Sequence, residues 1–249
     1  MLPANLPILA IDLPGHGLSS MYPVGIFHHS TEDIVALRRV VKHFQWKEKL
    51  NLMGHSLGSI YSFVYSSLFP NEVNKYIGFD NIKITANDND KFVRQSGLEI
   101  DRFLKFMENP DYRPEYTWDV IVERQKKGSM DSMTIESTKL LLQRGAYKSA
   151  KKEGYFGFRR DIRQMVSVHS RLPQEHIREM ASRLRCEVLY IKFKGAKYYE
   201  DKRKVDEIVE IIKKNSKYFE YHEVEGTHHG HLNNPENVAP IVGNFLKTI

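Results

Sequence analysis

The feature that most constrains the fold is a serine between two glycines, placed between two apolar segments. Residues 49–54 (KLNLMG) form a short apolar run that is typical of a strand buried on both faces. Residues 57–69 are apolar nearly all round, which is typical of a buried helix. The chain reads GHSLG at positions 54–58, where these two segments meet. This context predicts a nucleophile elbow, a sharp strand-to-helix turn that carries a reactive serine, with Ser56 at its tip.

Each residue of the predicted elbow has a steric or electrostatic role. Gly54 and Gly58 occupy positions that are expected to require a small residue, because strand and helix approach closely at such a turn. His55 precedes the nucleophile and belongs to the same turn. The N–H of Leu57 lies at the helix N-terminus, where partial positive charge favours a developing oxyanion. We therefore expect Leu57 to be an oxyanion donor for a reaction at Ser56.

A second chemical signal is a histidine-rich loop near the C-terminus. Residues 224–238 (VEGTHHGHLNNPENV) contain His228, His229 and His231 between a predicted strand and the last predicted helix. A serine hydroxyl needs a neutral imidazole to accept its proton, and one of these histidines is a candidate base. The alternatives are a metal-binding loop or a merely polar one, but the sequence shows no further Cys or Glu at zinc-ligand spacing.

Apolar runs and helical patterns alternate along most of the chain. The predicted strands are residues 7–12, 49–54, 75–80, 187–193 and 217–226, and the predicted helices are residues 30–44, 57–69, 202–214 and 235–249. This alternation predicts an α/β fold, with a mostly parallel sheet and helices on both faces. Residues 85–180 read as an almost wholly helical insertion, a cap between core segments 1–84 and 181–249.

Several segments together resemble the α/β-hydrolase superfamily, and in particular its serine hydrolase-like (kraken-type) branch. They are PILAIDLPGHGLSS (7–20), GHSLGS (54–59), YIGFDNI (76–82), FRRDIRQ (158–164) and GTHHGHLNNPENVA (226–239). The resemblance implies that Ser56 is the nucleophile, that His228 is the base, and that His229 and His231 are its loop neighbours. It also implies that Asp12 and His16 hold a structural turn.

The acid that orients the base has two candidate positions. The superfamily's usual position follows the predicted strand 187–193, where Glu200 and Asp201 are the available carboxylates. Some superfamily members instead take the acid from the strand after the nucleophile helix, and Asp80 ends that strand here. The sequence leaves Asp80 and the Glu200/Asp201 pair as equal alternatives.

The beginning of the chain departs from the family pattern. About three strands and a His-Gly loop, which supplies the second oxyanion donor, precede the segment that matches residues 7–12 in this family. Only six residues precede it here. We therefore expect an N-terminally truncated α/β-hydrolase. The leading hypothesis is a serine hydrolase of carboxylic esters, and the alternative is a catalytically impaired α/β-hydrolase-fold protein with a binding role.

The composition limits which binding partners and which cellular compartment are expected for the protein. The net charge is +6, but basic and acidic residues are interleaved, which is typical of solvated helix faces and does not favour nucleic acid. No apolar run reaches the length of about 18–20 residues that a membrane span needs. The single cysteine, Cys186, favours a reducing compartment, and we expect a cytoplasmic protein.

The expected partner is a small-molecule substrate. A Ser-His-acid mechanism needs no metal or organic cofactor. The aromatic residues of the predicted cap favour an apolar acyl ester; they are Phe103, Phe106, Trp118, Tyr155 and Phe156.

Overall fold

The structure is a computed structural model that describes residues 6–166 and 171–247. Part of the predicted cap, residues 167–170, and the last two residues of the predicted helix 235–249 lie outside the described residues. The strands are β1 (Leu50–His55), β2 (Val73–Phe79), β3 (Glu115–Thr117), β4 (Ala146–Lys148), β5 (Tyr155–Phe158), β6 (Glu187–Phe193) and β7 (Tyr218–Val224). The α-helices are α1 (Ser30–Phe44), α2 (Leu57–Leu68), α3 (Asn89–Met107), α4 (Trp118–Gly128), α5 (Ile135–Gly145), α6 (Gln174–Ser182), α7 (Lys202–Asn215), α8 (Gly230–Asn233) and α9 (Ala239–Lys247). Short 3₁₀ turns cover Ile162–Met165 and Pro235–Asn237.

The main sheet is parallel, with the strand order β1-β2-β6-β7. All seven residues of β6 are buried, as expected for a central strand covered on both faces. Val242 and Phe245 of α9 pack on one face of the sheet against Ile77 and Ile191. Tyr76 points to the opposite face, where its hydroxyl contacts α2. The predicted α/β class, with helices on both faces of a parallel sheet, is confirmed.

Most of the predicted elements of this sheet are found at or near their predicted bounds. The helix predicted at residues 30–44 coincides with α1, and the apolar run 187–193 coincides with β6. The predicted helix 235–249 is divided in the structure. A 3₁₀ turn begins at Pro235, and α9 starts only at Ala239.

Residues 7–12, predicted to be a buried strand, form no strand in the structure. Ile8 is 61 % exposed and Leu9 is 49 % exposed. An apolar run becomes a strand only when a neighbouring strand supplies hydrogen bonds. Within the described residues β1 pairs with β2 alone and ends the sheet. The apolar pattern was therefore not sufficient for a strand assignment.

The described chain forms two compact units. Residues 6–8, 38–89 and 171–247 make up unit 1, which contains the parallel sheet, and residues 9–37 and 90–166 make up unit 2. The predicted division at residues 84/85 and 180/181 stays a prediction.

Residues 85–180, predicted to be almost wholly helical, also contain short strands, which lie in unit 2. The strands form an antiparallel sheet with the order β3-β5-β4 beside α4 and α5. These strands have only three or four residues each, too few for an alternating pattern to be recognised in the sequence. Trp118 and Phe156 pack on the small core of this unit, and Phe103 is only 8 % exposed. Of these predicted substrate-facing aromatics, Phe103 is therefore buried, and Trp118 and Phe156 are half-buried against the core of the unit.

Two carboxylates, the half-buried Asp12 and the buried Asp161, organise the loops of unit 2. Asp12 accepts a hydrogen bond from the backbone N–H of Leu18 at 2.9 Å and pairs with Arg144 at 2.7 Å. Asp161 is fully buried and pairs with Arg163 at 2.7 Å. Among the residues that the structure describes, no helix is long and apolar enough to cross a membrane.

Candidate active site

The candidate site begins at the turn between β1 and α2. Ser56 has backbone angles of φ 51° and ψ −110°, a region that a residue with a side chain occupies only when the surroundings enforce it. Its N–H donates to the carbonyl of Phe79 at 3.1 Å, and its carbonyl accepts from the N–H of Ile60 at 3.0 Å. The turn is therefore tied to β2 on one side and to the first turn of α2 on the other.

The two glycines that flank this turn differ in their steric requirement. A Cβ on Gly54 would overlap the carbonyl group of Gly58 and the backbone nitrogen of Ser59. A Cβ on Gly58 would meet no atom within 4 Å. Close approach of strand and helix thus explains Gly54. It does not explain Gly58, for which the same steric reason was predicted and is wrong.

The backbone N–H of Leu57 belongs to the first turn of α2. The first N–H groups of a helix have no partner within the helix, and they carry its partial positive charge. This N–H is adjacent to Ser56 in the chain, as an oxyanion donor must be.

A hydrogen-bonded series joins three of the predicted site residues. The hydroxyl of Ser56 lies 2.9 Å from Nε2 of His228, and Nδ1 of His228 lies 2.5 Å from Oδ2 of Asp80. A carboxylate can only accept, so the Nδ1–H of His228 donates to Asp80. Nε2 is then free to accept the proton of Ser56. His228 is 9 % exposed and Asp80 only 2 %, so the series is largely shielded from water.

The sheet explains why Asp80 reaches this position. β1 and β2 are parallel neighbours, and their carboxyl ends therefore meet at the same edge. Ser56 follows β1 and Asp80 follows β2. Asp80 adopts φ 62°, and its N–H donates to the carbonyl of Ile191 at 2.8 Å. Aspartate tolerates this left-handed conformation better than most residues.

The other two predicted acids make different contacts. Glu200 pairs with Lys83 at 2.5 Å and accepts a hydrogen bond from the N–H of Ala86. Asp201 is the N-cap of α7 and accepts from the N–H of Arg203 at 2.9 Å. The hydrogen bonds from Arg203 lower the pKa of Asp201 to about 2. Of the three carboxylates, Asp80 is the one that contacts His228.

Three further histidines surround His228. Nε2 of His55 donates to the carbonyl of His228 at 2.7 Å, and the ring centroids of His55 and His231 are 4.0 Å apart. Burial lowers the pKa of His55 to about 2, and it lowers the pKa values of His229 and His231 to about 4. These three rings are therefore uncharged near neutral pH. Within the described residues, no group of three or more His, Cys, Asp or Glu side chains could hold a metal ion.

One residue that contacts the candidate acid was not predicted from the sequence. The Nζ of Lys192 lies 2.6 Å from Oδ1 of Asp80, and this lysine is buried on β6. A lysine within the otherwise apolar run 187–193 was the available signal, because a buried lysine requires a partner.

A strained serine at the carboxyl edge of a parallel sheet, followed by a helix and joined to a histidine, defines the class of α/β-fold hydrolases. The sequence model for the alpha/beta hydrolase fold matches residues 4–108. A Drosophila melanogaster protein named "Probable serine hydrolase" is 35% identical over 99% of this chain and 75% of its own length. A Danio rerio "Serine hydrolase-like protein" is 29% identical over the same shares.

Solved structures show the same fold. A hypothetical protein of Pseudomonas aeruginosa superposes with a TM-score of 0.81 and 23% identity, over 95% of this chain and 81% of that one. The chain belongs to the α/β-hydrolase family, among the serine hydrolase-like proteins. It is accordingly a hydrolase, and the fold implies a small-molecule substrate.

Proposed function

We propose that this protein hydrolyses carboxylic-ester-type substrates through an acyl-enzyme, with Ser56, His228 and Asp80 as its catalytic triad. The observation that carries the proposal is the hydrogen-bonded series from the Ser56 hydroxyl through His228 to the buried Asp80. The family membership supports hydrolysis, and the geometry supports the roles.

The proposed reaction has two halves. Ser56 attacks the ester carbonyl while Nε2 of His228 removes the hydroxyl proton, and the imidazolium then gives that proton to the leaving alcohol. Asp80 holds the Nδ1–H tautomer and stabilises the imidazolium. Water, activated by His228, then attacks the acyl-enzyme and releases the acid and Ser56. The N–H of Leu57 donates to the oxyanion in both halves.

An apolar acyl ester is the substrate class that the site favours. The side chain of Leu57, next to the nucleophile, is 43 % exposed. Tyr199 is 46 % exposed, and its ring centroid is 5.5 Å from that of His228. Accessible apolar side chains beside the reacting atoms favour an apolar substrate group. A cytoplasmic location stays a prediction from the single cysteine.

Labelling with a fluorophosphonate probe tests the proposal. The wild-type protein is expected to form a covalent adduct, and Ser56→Ala is expected to form none. Ser59→Ala is the matched control, because Ser59 lies in the first turn of the helix that follows Ser56 but is fully buried, with its hydroxyl 2.7 Å from that of Tyr76. Equal labelling of Ser56→Ala and wild type would refute the proposed nucleophile. A folded wild-type protein that resists the probe would favour the binding role.

A further inference from the structure

We propose that Lys192 is a positioning residue for the triad, because its buried ammonium orients the carboxylate of Asp80 and offsets its charge, which extends activity to lower pH. This inference rests on the function proposed above for Ser56, His228 and Asp80. It adds a fourth group to the proposed series and assigns it a measurable effect.

The contacts of Lys192 place its charge on the candidate acid. The residue lies on the central strand β6 and is 3 % exposed. Its Nζ donates to Oδ1 of Asp80 at 2.6 Å and to the carbonyl of Ala196 at 3.1 Å. The same ammonium lies 4.7 Å from the ring centroid of Tyr198. A buried ammonium with these partners has a fixed position, unlike a lysine on the surface.

The two oxygens of Asp80 have separate partners. Oδ1 accepts from Lys192 and from the backbone N–H of Phe193, at 2.6 Å and 3.2 Å. Oδ2 accepts from His228 at 2.5 Å. The donors on Oδ1 fix the rotation of the carboxylate, so that Oδ2 faces the imidazole. Lys192 therefore helps to set the orientation that the histidine needs.

The same contact changes the charge that His228 faces. An isolated carboxylate stabilises an imidazolium strongly, whereas a carboxylate paired with an ammonium stabilises it less. Both Nζ of Lys192 and Nδ1 of His228 bind the one carboxylate of Asp80, so they are at most about 7 Å apart. A unit charge at that distance, at an effective dielectric constant of about 20, moves a titration midpoint by about one to two pH units.

Other groups near the triad do not supply a competing charge at neutral pH. Lys83 and Glu200 line the cavity beside Asp80, but they pair with each other at 2.5 Å, so their charges offset one another. Six further titratable side chains of the described residues lie near His228, Asp80 or Lys192: His55, His229, His231, Tyr190, Tyr198 and Tyr199. Burial lowers the pKa of each of these histidines and raises the pKa of each of these tyrosines, which keeps all six neutral. Lys202 lies 5.7 Å from the Tyr198 ring, but it is exposed and paired with Asp206.

The test is a titration of the His228 imidazole by NMR in wild type, Lys192→Met and Lys75→Met. Lys75→Met is the matched control, because Lys75 is equally buried and pairs with Glu187 at 2.5 Å between the same two strands. It lies five residues before Asp80 along β2, which is about 16 Å. Because NMR requires no turnover, this readout remains available if the protein fails to hydrolyse esters. Failure of the proposed function is thus distinguished from failure of this inference.

In Lys192→Met the midpoint of the His228 titration is expected about one to two pH units above that of wild type, while Lys75→Met keeps the wild-type midpoint. The acidic limb of fluorophosphonate labelling should move by the same amount, and Lys192→Arg should restore it. If Lys192→Met does not fold, Lys192→Gln removes the charge and keeps a donor, and the same shift is expected. Midpoints that agree within about 0.3 pH units among folded variants and wild type would overturn the inference.

Discussion

Replacing Gly54 by alanine is expected to disrupt the elbow, whereas the same replacement at Gly58 is expected to be tolerated. A Cβ at position 54 would lie closer than 3.0 Å to the carbonyl carbon and oxygen of Gly58 and to the backbone nitrogen of Ser59. These are backbone atoms that cannot rotate away, so β1 and α2 would have to separate by about 1 Å.

The expected magnitudes follow from that displacement. Overpacking of this kind costs about 1–3 kcal/mol of the free energy of unfolding. A displacement of about 1 Å at a reacting group costs about 10²-fold in rate, so kcat for Gly54→Ala should fall by at least that factor. At Gly58 the new methyl group meets no atom within 4 Å, and a helical alanine is favoured over glycine by about 1 kcal/mol.

Thermal unfolding and hydrolysis of p-nitrophenyl acetate, measured on both variants and wild type, check this prediction. Gly58→Ala is expected to keep wild-type kcat and an equal or higher Tm. Wild-type activity and stability in Gly54→Ala would refute the steric explanation of this glycine.

Two further predictions concern the acid and the histidine cluster. Asp80→Asn should lower kcat about 10⁴-fold, because the correct tautomer of His228 is lost. Asp201→Asn keeps an N-cap, and its kcat should stay within about twofold of wild type. Steady-state ester hydrolysis of both variants shows which carboxylate is the acid. Burial lowers the pKa of His231 to about 4 in the folded protein, below the unfolded value of 6.5. Its contribution to stability is therefore present above pH 6.5 and is lost as the pH falls towards 4, by about 3 kcal/mol at most. Urea unfolding at pH 7 and pH 4.5 should show this loss of stability. The loss should be smaller in His231→Phe than in wild type. An equal loss in the variant would contradict the attribution to His231.

The main elements of the parallel sheet could be predicted because their signals are local. A buried parallel strand is a continuous apolar run, and the run 187–193 coincides with β6. The helical pattern of residues 30–44 likewise located α1. Residues 7–12 have the same apolar character but form no strand, because strand formation depends on a partner that lies elsewhere in the chain.

The candidate site shows the same division between local and non-local information. Ser56 and His228 could be chosen from their motifs, but the choice between Asp80 and the Glu200/Asp201 pair required knowing which strand ends meet. The parallel pairing of β1 with β2 supplies that information. The contact of Lys192 with Asp80 likewise depends on the pairing of β2 with β6.

Trapping of the acyl-enzyme tests the central claim most directly. The protein is mixed with p-nitrophenyl acetate, quenched with acid during turnover, digested and mapped by mass spectrometry, with Ser56→Ala and Ser59→Ala in parallel. The proposed mechanism predicts one acetyl group on Ser56 in wild type and in Ser59→Ala, and none in Ser56→Ala. Ester hydrolysis that proceeds at the wild-type rate in Ser56→Ala, or an acetyl group that maps to another residue during turnover, would contradict it.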